Sequence, residues 1–505
     1  MRHRILLGSS FLYLTVCNLI WIARDSRPPF WDMAAHQTGA LRILNAVSEN
    51  GVGALATIGS LSGFYPPLYH SIVAGFYRIF GVSSNSAQLA NIPALAILMA
   101  STYFIGRRLV SPLVGATAAT LVGFYPFILW LSRETLIDYW LTSLVALAFW
   151  ILLESEGFER RRMTVLFGLV CGLGMLTKWT FALFLFLPAL WFARRRWREA
   201  SLAAVVAFLV ASYWYVPQFD VLSDFLALNT AGGIAEGDPA RSSWQAIVFY
   251  VRALEGYQLF LPLFGLFVAG SVWLARNFKP DWVPVILWIL GGWLGLMMFQ
   301  NKDPRYSVAI LPAVALISAS IFESRKAWLG VLLPFLMFQH YLVSFGIQAL
   351  PEKVVVASGV QGPISWDWNL YTQSHFDLWG RPKKQDWKIP YVLDRVRELS
   401  SGRQVRLGLI PDIPRFDSQA FEFYALARKD PVLVRRLTRP DQEDMRNNDF
   451  LLLSEGAEGY PGSFSPAETE VNRQVLDNPE RFEVLEWFPL PNGEVIRLYK
   501  VRKPS

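Results

Sequence analysis

Ile5-Leu-Leu-Gly-Ser-Ser-Phe-Leu-Tyr-Leu-Thr-Val-Cys-Asn-Leu-Ile-Trp-Ile-Ala23 carries no charged side chain, and its length decides how the rest of the chain is read. A helix needs roughly 20 apolar residues to cross a hydrocarbon core about 30 Å thick. Met1 to Arg4 followed by this run resembles a signal peptide, but no small-residue cleavage site follows, so it reads as a retained signal anchor. Ten further stretches have the same character: Gln88–Gly106, Leu113–Leu131, Tyr139–Leu153, Thr164–Leu176, Thr180–Ala193, Ser201–Val216, Leu259–Ala275, Trp282–Phe299, Val308–Phe322 and Trp328–Phe345. About eleven transmembrane helices are therefore expected.

Composition agrees. Hydrophobic residues make up 53% of the 505 and charged residues 17%, against about 25% charged in a typical soluble protein. One soluble core cannot enclose that much apolar surface. The net charge of +7 would suit nucleic acid or an anionic membrane surface. The positive residues nevertheless form short clusters between apolar runs rather than one patch, which argues for the membrane and against nucleic acid. Cys17 and Cys171, the two cysteines, both lie in apolar runs, so a disulfide framework or cysteine metal site is not expected.

Lys and Arg in short loops mark the cytoplasmic side. With the N-terminus in the cytoplasm, Arg107-Arg108, Arg160-Arg161-Arg162, Arg194-Arg195-Arg196 with Arg198, Arg276 with Lys279, and Arg325-Lys326 all fall on that side. Arg24 and Arg27 fall outside, a mild exception in a long loop. Two large outer loops result, at about 24–87 and 217–258. Pro66–Gly81 within the first is too short to span and reads as a helix along the outer surface. Ala231–Ser243 in the second, rich in Gly and polar residues, reads as a mobile segment over a site. From about Gln348 polar residues rise; helix-like Tyr391–Leu399 alternates with strand-like Val405–Ile410, Phe450–Leu453, Phe482–Phe488 and Glu494–Val501. That pattern predicts a soluble α/β domain over 348–505, behind a membrane domain over 1–347. An odd number of spans places it outside.

Ionisable residues at a membrane are costly and usually mark function. Those of this chain fall on the outer face. Asp32 and His36 are four apart, hence on one side of a helix; together they can take a proton from a hydroxyl or hold a divalent metal such as Mg or Mn. A capping Asp beside a surface His explains the spacing equally well. In Tyr65-Pro66-Pro67-Leu68-Tyr69-His70, two prolines fix φ and aim the aromatics and His70, although Pro-Pro also commonly just starts a helix. Ser132-Arg133-Glu134-Thr135-Leu136-Ile137-Asp138 crowds charges into one turn, and Asp138 opens a span. Lys178 stands alone between apolar stretches, as a functional cation or a snorkelling one. Asn301-Lys302-Asp303-Pro304-Arg305-Tyr306 offers in Arg305 a planar fork for phosphate, or a partner for Asp303. Collectively, carboxylates and cations at one outer face suit a substrate with a lipid tail and a headgroup phosphate.

At these residues the sequence resembles the C-type (GT-C) membrane glycosyltransferases that use polyprenyl-phosphate sugars, which include protein O-mannosyltransferases and lipid A aminoarabinose transferases. The resemblance covers roughly Ile5 to Phe345. It rests on Asp32, on Pro66 to Tyr69, on Asp138, on Lys178 after a Gly-rich span, and on Arg305-Tyr306 before Leu311-Pro312. It implies a polytopic all-α membrane domain in the cell (inner) membrane with its site facing out, and an inverting transfer from a polyprenyl-phosphate sugar to a protein, lipid or glycan acceptor. It further implies Asp32 as the catalytic or metal-associated carboxylate, with Asp138 assisting. Lys178, Arg305 and Tyr306 would hold the donor phosphate, and His36, Tyr65, Tyr69, His70, Arg133 and Glu134 would lie near substrate or acceptor. Met33 departs from the family, which has Glu after the first Asp; His36 is the candidate to take its place. A transporter or flippase of lipid-linked saccharides is the alternative, and it calls for mid-membrane ionisable residues and an internal repeat. Neither is seen in this sequence. A membrane scaffold presenting its outer domain is a third.

Overall fold

The computed structural model of the chain describes residues 2–358, 367–373, 380–438, 445–454 and 466–503. Each of the eleven apolar stretches is helical. Among the described residues, seven helical segments are individually long and apolar enough to cross a membrane, and the bent pair described below makes an eighth if it is one span. The chain is thus a polytopic membrane protein with a small sheet region at its C-terminal end. The main helices are α1 (Arg2–Arg24), α2 (Trp31–Asn50), α3 (Ile58–Leu61), α4 (Leu68–Phe80), α5 (Ser84–Leu89), α6 (Asn91–Leu109), α7 (Pro112–Phe124), α8 (Pro126–Leu131) and α9 (Ile137–Glu154). They continue through α10 (Arg161–Met175), α11 (Phe181–Ala193), α12 (Trp197–Tyr215), α13 (Phe219–Ala235), α14 (Trp244–Ala253), α15 (Phe260–Arg276), α16 (Val283–Met297), α17 (Leu311–Ser320) and α18 (Leu329–Phe345).

Breaks in these helices follow local chemistry. Pro126 has no N–H to donate, so the apolar run Leu113–Leu131 divides into α7 and α8. α12 and α13 belong to one apolar stretch but meet at 80°. Helices approach closely where side chains vanish: a Cβ on Gly115 would lie 2.4 Å from the Tyr103 carbonyl oxygen. That is the small-residue crossing of membrane helices, and here it locks α6 on α7.

The segment Pro66–Gly81 contains α4. Tyr69, His70, Val73, Ala74 and Tyr77 bury one face against α2, and Ile79 and Phe80 stay exposed. The second long loop differs from its sequence reading. Its polar stretch Ala231–Ser243 is held in place rather than loose: α13 runs to Ala235, a Cβ on Gly233 would strike the Asn301 backbone at 2.6 Å, and Asp238 Oδ2 accepts the Lys302 N–H at 2.7 Å.

Beyond α18, strands β1 (Lys353–Ser358) and β2 (Asp367–Thr372) pair antiparallel. Glu255 Oε1 accepts the Asn369 N–H at 3.0 Å and ties them to the membrane helices. α19 (Ile389–Leu399) and α20 (Ser418–Arg428) then pack on a five-stranded sheet of β3 (Val405–Leu409), β4 (Val432–Arg436), β5 (Phe450–Ser454), β6 (Phe482–Pro489) and β7 (Val495–Val501). Its order is β4-β3-β5-β7-β6, with β3 parallel to β4 and β5, and β7 antiparallel to its neighbours. Leu407, Leu409, Phe421, Leu452 and Leu498 form its core, and Ala34 of α2 is packed into the same cluster. The sheet region is therefore seated directly on α2.

Candidate active site

A cavity of about 870 Å³ lies between the first long loop, the Asp303–Arg305 turn and the C-terminal sheet region. Asp32, His36, Tyr65, His70, Asp303 and Arg305 line it, together with Glu236 and Asp238 of the second long loop.

Asp32 sits in the first turn of α2, where the positive end of the helix dipole favours a carboxylate. Its Oδ2 accepts from Arg305 Nη1 at 3.0 Å. Asp303 holds the same guanidinium from the other side, accepting Arg305 Nε at 2.8 Å and the Arg305 backbone N–H at 2.7 Å. Arg305 is thus aimed by Asp303, and its outer nitrogen faces Asp32. The Asp32 side chain is 43% exposed.

One turn on, His36 is buried and its Nδ1 hydrogen-bonds His70 Nε2 at 2.9 Å. Burial first, then the Lys178 and Arg305 cations, push the His36 imidazole down to about 3, and burial drives His70 well below its ordinary value. Both rings are neutral, so one donates to the other. The Pro66-Pro67 step makes this possible by starting α4 at Leu68, whose N–H reaches the Leu176 carbonyl at 3.0 Å. Tyr65 and Tyr69 stand edge-on to the His36 ring.

The Leu176 contact brings the Lys178 turn alongside. Gly174 shapes that turn: a Cβ there would lie 2.2 Å from the Phe181 ring, and the Gly174 carbonyl accepts the Lys178 N–H at 3.1 Å. Lys178 Nζ donates to Asp138 Oδ1 at 2.8 Å with both side chains buried, and it lies 4.6 Å from the centre of the Tyr306 ring. Tyr306 donates to Asn301 at 2.8 Å. A small adjoining pocket is lined by Tyr65, Lys178, Phe225 and Tyr306, so Tyr65 and Phe225 form the wall shared with the main cavity.

Three residues expected near substrate sit elsewhere. Tyr69 is fully buried against the His36 ring and does not line the cavity. Arg133 points into the helix bundle, donating to Asn18 at 2.9 Å and Ser344 at 2.7 Å, because a cation at that depth needs polar partners and finds them on α1 and α18. Glu134 is also buried and does not line the cavity; burial pushes its carboxyl up to about 7. Their turn acts instead through Thr135, which accepts from Gln37 at 3.0 Å and donates to the Met33 carbonyl at 3.1 Å, bracing α2.

Asp32 and His36 do not make a metal site in this arrangement. The carboxylate is engaged with Arg305, the imidazole with His70, and no group of three or more His, Cys, Asp or Glu able to hold a metal ion exists among the described residues.

Several cavity residues carry no mark in the sequence. Lys302 is buried beside Arg305, donating to the Phe299 carbonyl, and burial pushes its ammonium down to about 8. Asp412, Asp417, Glu422 and Arg436 form a wall from the C-terminal sheet region. In sequence these resemble solvated surface charges. Lys302 alone offered a hint, standing inside the Asn301–Tyr306 motif.

The fold is shared with solved membrane-protein structures. The crystal structure of ArnT from Cupriavidus metallidurans in the apo state matches with a TM-score of 0.60, covering 97% of each chain at 13% identity. The same protein bound to undecaprenyl phosphate matches at 0.59, covering 97% of this chain and 98% of that one, again at 13% identity. In sequence, residues 65–216 match the family described as dolichyl-phosphate-mannose-protein mannosyltransferase. The undecaprenyl phosphate-alpha-4-amino-4-deoxy-L-arabinose arabinosyl transferase of Pseudomonas paraeruginosa is 34% identical over 283 residues, and that of Pseudomonas aeruginosa PAO1 is 33% identical over 283. Each alignment takes in 50% of this chain and 50% of the relative, so the match spans about half the length of these curated relatives.

Proposed function

We propose that the chain is an integral-membrane glycosyltransferase that moves a sugar from a polyprenyl-phosphate donor to an acceptor hydroxyl or amine outside the cytoplasm, inverting the anomeric centre. The observation that carries this reading is the Asp32–Arg305 pair, 3.0 Å apart and opening onto a cavity large enough for a phosphosugar. The donor name borne by the Pseudomonas relatives, and the undecaprenyl phosphate bound in the Cupriavidus structure, support the same chemistry.

In this reading the donor phosphate binds against Arg305, with Lys178 and Tyr306 behind it, and displaces Asp32 from the guanidinium. The freed Asp32 carboxylate accepts the proton of the acceptor nucleophile as it attacks C1 of the sugar. The bond from C1 to the phosphate oxygen breaks, its electron pair leaves with the polyprenyl phosphate, and Arg305 stabilises the charge that develops there. Asp138 takes part by holding Lys178. His36 and His70, both neutral, shape the sugar side of the cavity together with Tyr65. The described residues gather no group of three His, Cys, Asp or Glu for a metal ion, and no step is routed through one. The basic loops support an N-terminus in the cytoplasm of an inner-membrane protein, with residues 1–347 read as the transferase domain and 348–505 as an outer domain.

The test is incubation of the purified protein in lipid nanodiscs with a panel of polyprenyl-phosphate sugars, scored by release of free polyprenyl phosphate. Release from at least one donor, absent in Asp32→Asn, is expected. Full release by Asp32→Asn would remove the catalytic role from this carboxylate.

A further inference from the structure

The backbone just before Asp32 is in a conformation that its sequence does not favour. Trp31 has φ of +44°, in the left-handed region that a bulky side chain rarely adopts. Phe30, the residue before the helix, is extended and supplies no side-chain cap. Something outside α2 must hold this turn, and the structure places two carboxylates of the C-terminal sheet region there. Asp417 divides its oxygens: Oδ1 caps α20 by accepting the Gln419 N–H at 2.9 Å and the Ala420 N–H at 3.2 Å, while Oδ2 accepts the Trp31 N–H at 3.3 Å. Asp412 accepts the Trp31 indole N–H through Oδ1 at 2.9 Å and binds Arg436 through Oδ2 at 3.0 Å. Nearby, Arg415 donates to the Pro28 carbonyl at 2.9 Å and lies over the Phe30 ring.

We infer that Asp417 and Asp412 are positioning residues: they clamp Trp31 in its left-handed turn and thereby aim Asp32 at Arg305, so that the C-terminal domain completes the active site. This rests on the transferase reading above for its catalytic consequence, but the clamp itself is a separate physical fact. α2 begins at Trp31, so a change in that residue's φ redirects the next side chain. A shift of about 1 Å in a reacting group is enough to cost roughly 10²-fold in rate. Asp417 and Asp412 touch Trp31 and not the reacting atoms of this scheme, which separates their role from that of Asp32.

Asp417→Ser tests the clamp in the full-length protein, since serine retains a helix-capping oxygen for α20 and loses the oxygen that reaches Trp31. Two measurements are made on it. Backbone hydrogen–deuterium exchange over residues 28–36 is expected to quicken by about tenfold or more, with exchange in α20 unchanged. Turnover of whichever donor the wild type consumes is expected to fall about 10- to 100-fold, with KM for the donor within about twofold of wild type. Asp412→Ala should show a weaker version of both effects, and Asp412→Asn, which keeps an acceptor for the indole, should restore turnover. Unchanged exchange over 28–36 overturns the clamp, and faster exchange with unchanged turnover overturns its effect on Asp32. A wild-type protein that consumes no donor contradicts the transferase reading alone, because exchange still decides the clamp.

Discussion

Two ion pairs of similar length stand near each other in this molecule, in opposite surroundings. Lys178–Asp138, at 2.8 Å, is sealed, its side chains 7% and 3% exposed; Arg305–Asp32, at 3.0 Å, opens onto the cavity with 21% and 43%. A sealed pair has given up its water and cannot cheaply change partners, so its value lies in fixing where Lys178 sits. An open pair loses little when a substrate phosphate takes the guanidinium from the carboxylate. Under the proposed transfer, the difference separates a group that holds position from a group that would react.

The comparison breaks most visibly at Asp32. Asp32→Asn should lower turnover by about 10²- to 10⁴-fold and leave the thermal midpoint within a degree or two, because an exposed pair contributes about 0–1 kcal/mol. Opposite behaviour is expected of the sealed pair: Asp138→Asn or Lys178→Met should destabilise by about 3–5 kcal/mol, since each strands a buried charge. The double variant Asp138→Leu/Lys178→Met should recover much of that loss in a denaturation experiment but not the activity. If the single and double variants were equally unstable, the pair would be doing something other than cancelling charge.

Gly174→Val sharpens the same point from the backbone. With Phe181 where a Cβ would go, the Lys178 turn must shift, and a loss of about 1–3 kcal/mol is expected from overpacking, with weaker donor binding as the second readout. The smallest effect concerns pH. Burial pushes Asp417 up to about 7, with Asp412 adding repulsion. A carboxyl whose folded value is raised favours the fold in its protonated form. The stability it contributes is therefore present at low pH and declines as pH rises from about 4 through about 7. Chemical denaturation of the wild type across that window should show a decline that Asp417→Ser reduces.

What the sequence disclosed depended on range. Spans were legible because apolar length and the basic punctuation between runs are local properties, and even the short Phe181–Ala193 lies within one residue of its expected start. The Pro126 break was not, since hydropathy continues across it, and although the end of α12 fell where Ser201–Val216 ends, the helix α13 that leaves it at 80° was not. At the site, residue types and the local Asp303–Arg305 pairing were visible, but the long-range pairings were not. Asp138 and Lys178 are 40 positions apart, and His36 and His70 are 34. Arg133 misled because charge in a turn looks the same whether it faces solvent or the bundle. Asp412 and Asp417 were silent for a related reason: their importance comes from Trp31, nearly 400 positions earlier, and from a strained φ that no side-chain pattern announces.

The central claim is that Arg305 binds the donor phosphate while Asp32 carries out the proton transfer. Binding of undecaprenyl phosphate, measured side by side with sugar transfer in wild type, Asp32→Asn and Arg305→Met, tests it most directly. Asp32→Asn should bind the lipid phosphate as tightly as wild type or more so, having lost a competing anion, and yet transfer about 10²- to 10⁴-fold more slowly; Arg305→Met should lose both. An Asp32→Asn protein that fails to bind, or an Arg305→Met protein that binds normally, would contradict the division of labour between the two residues.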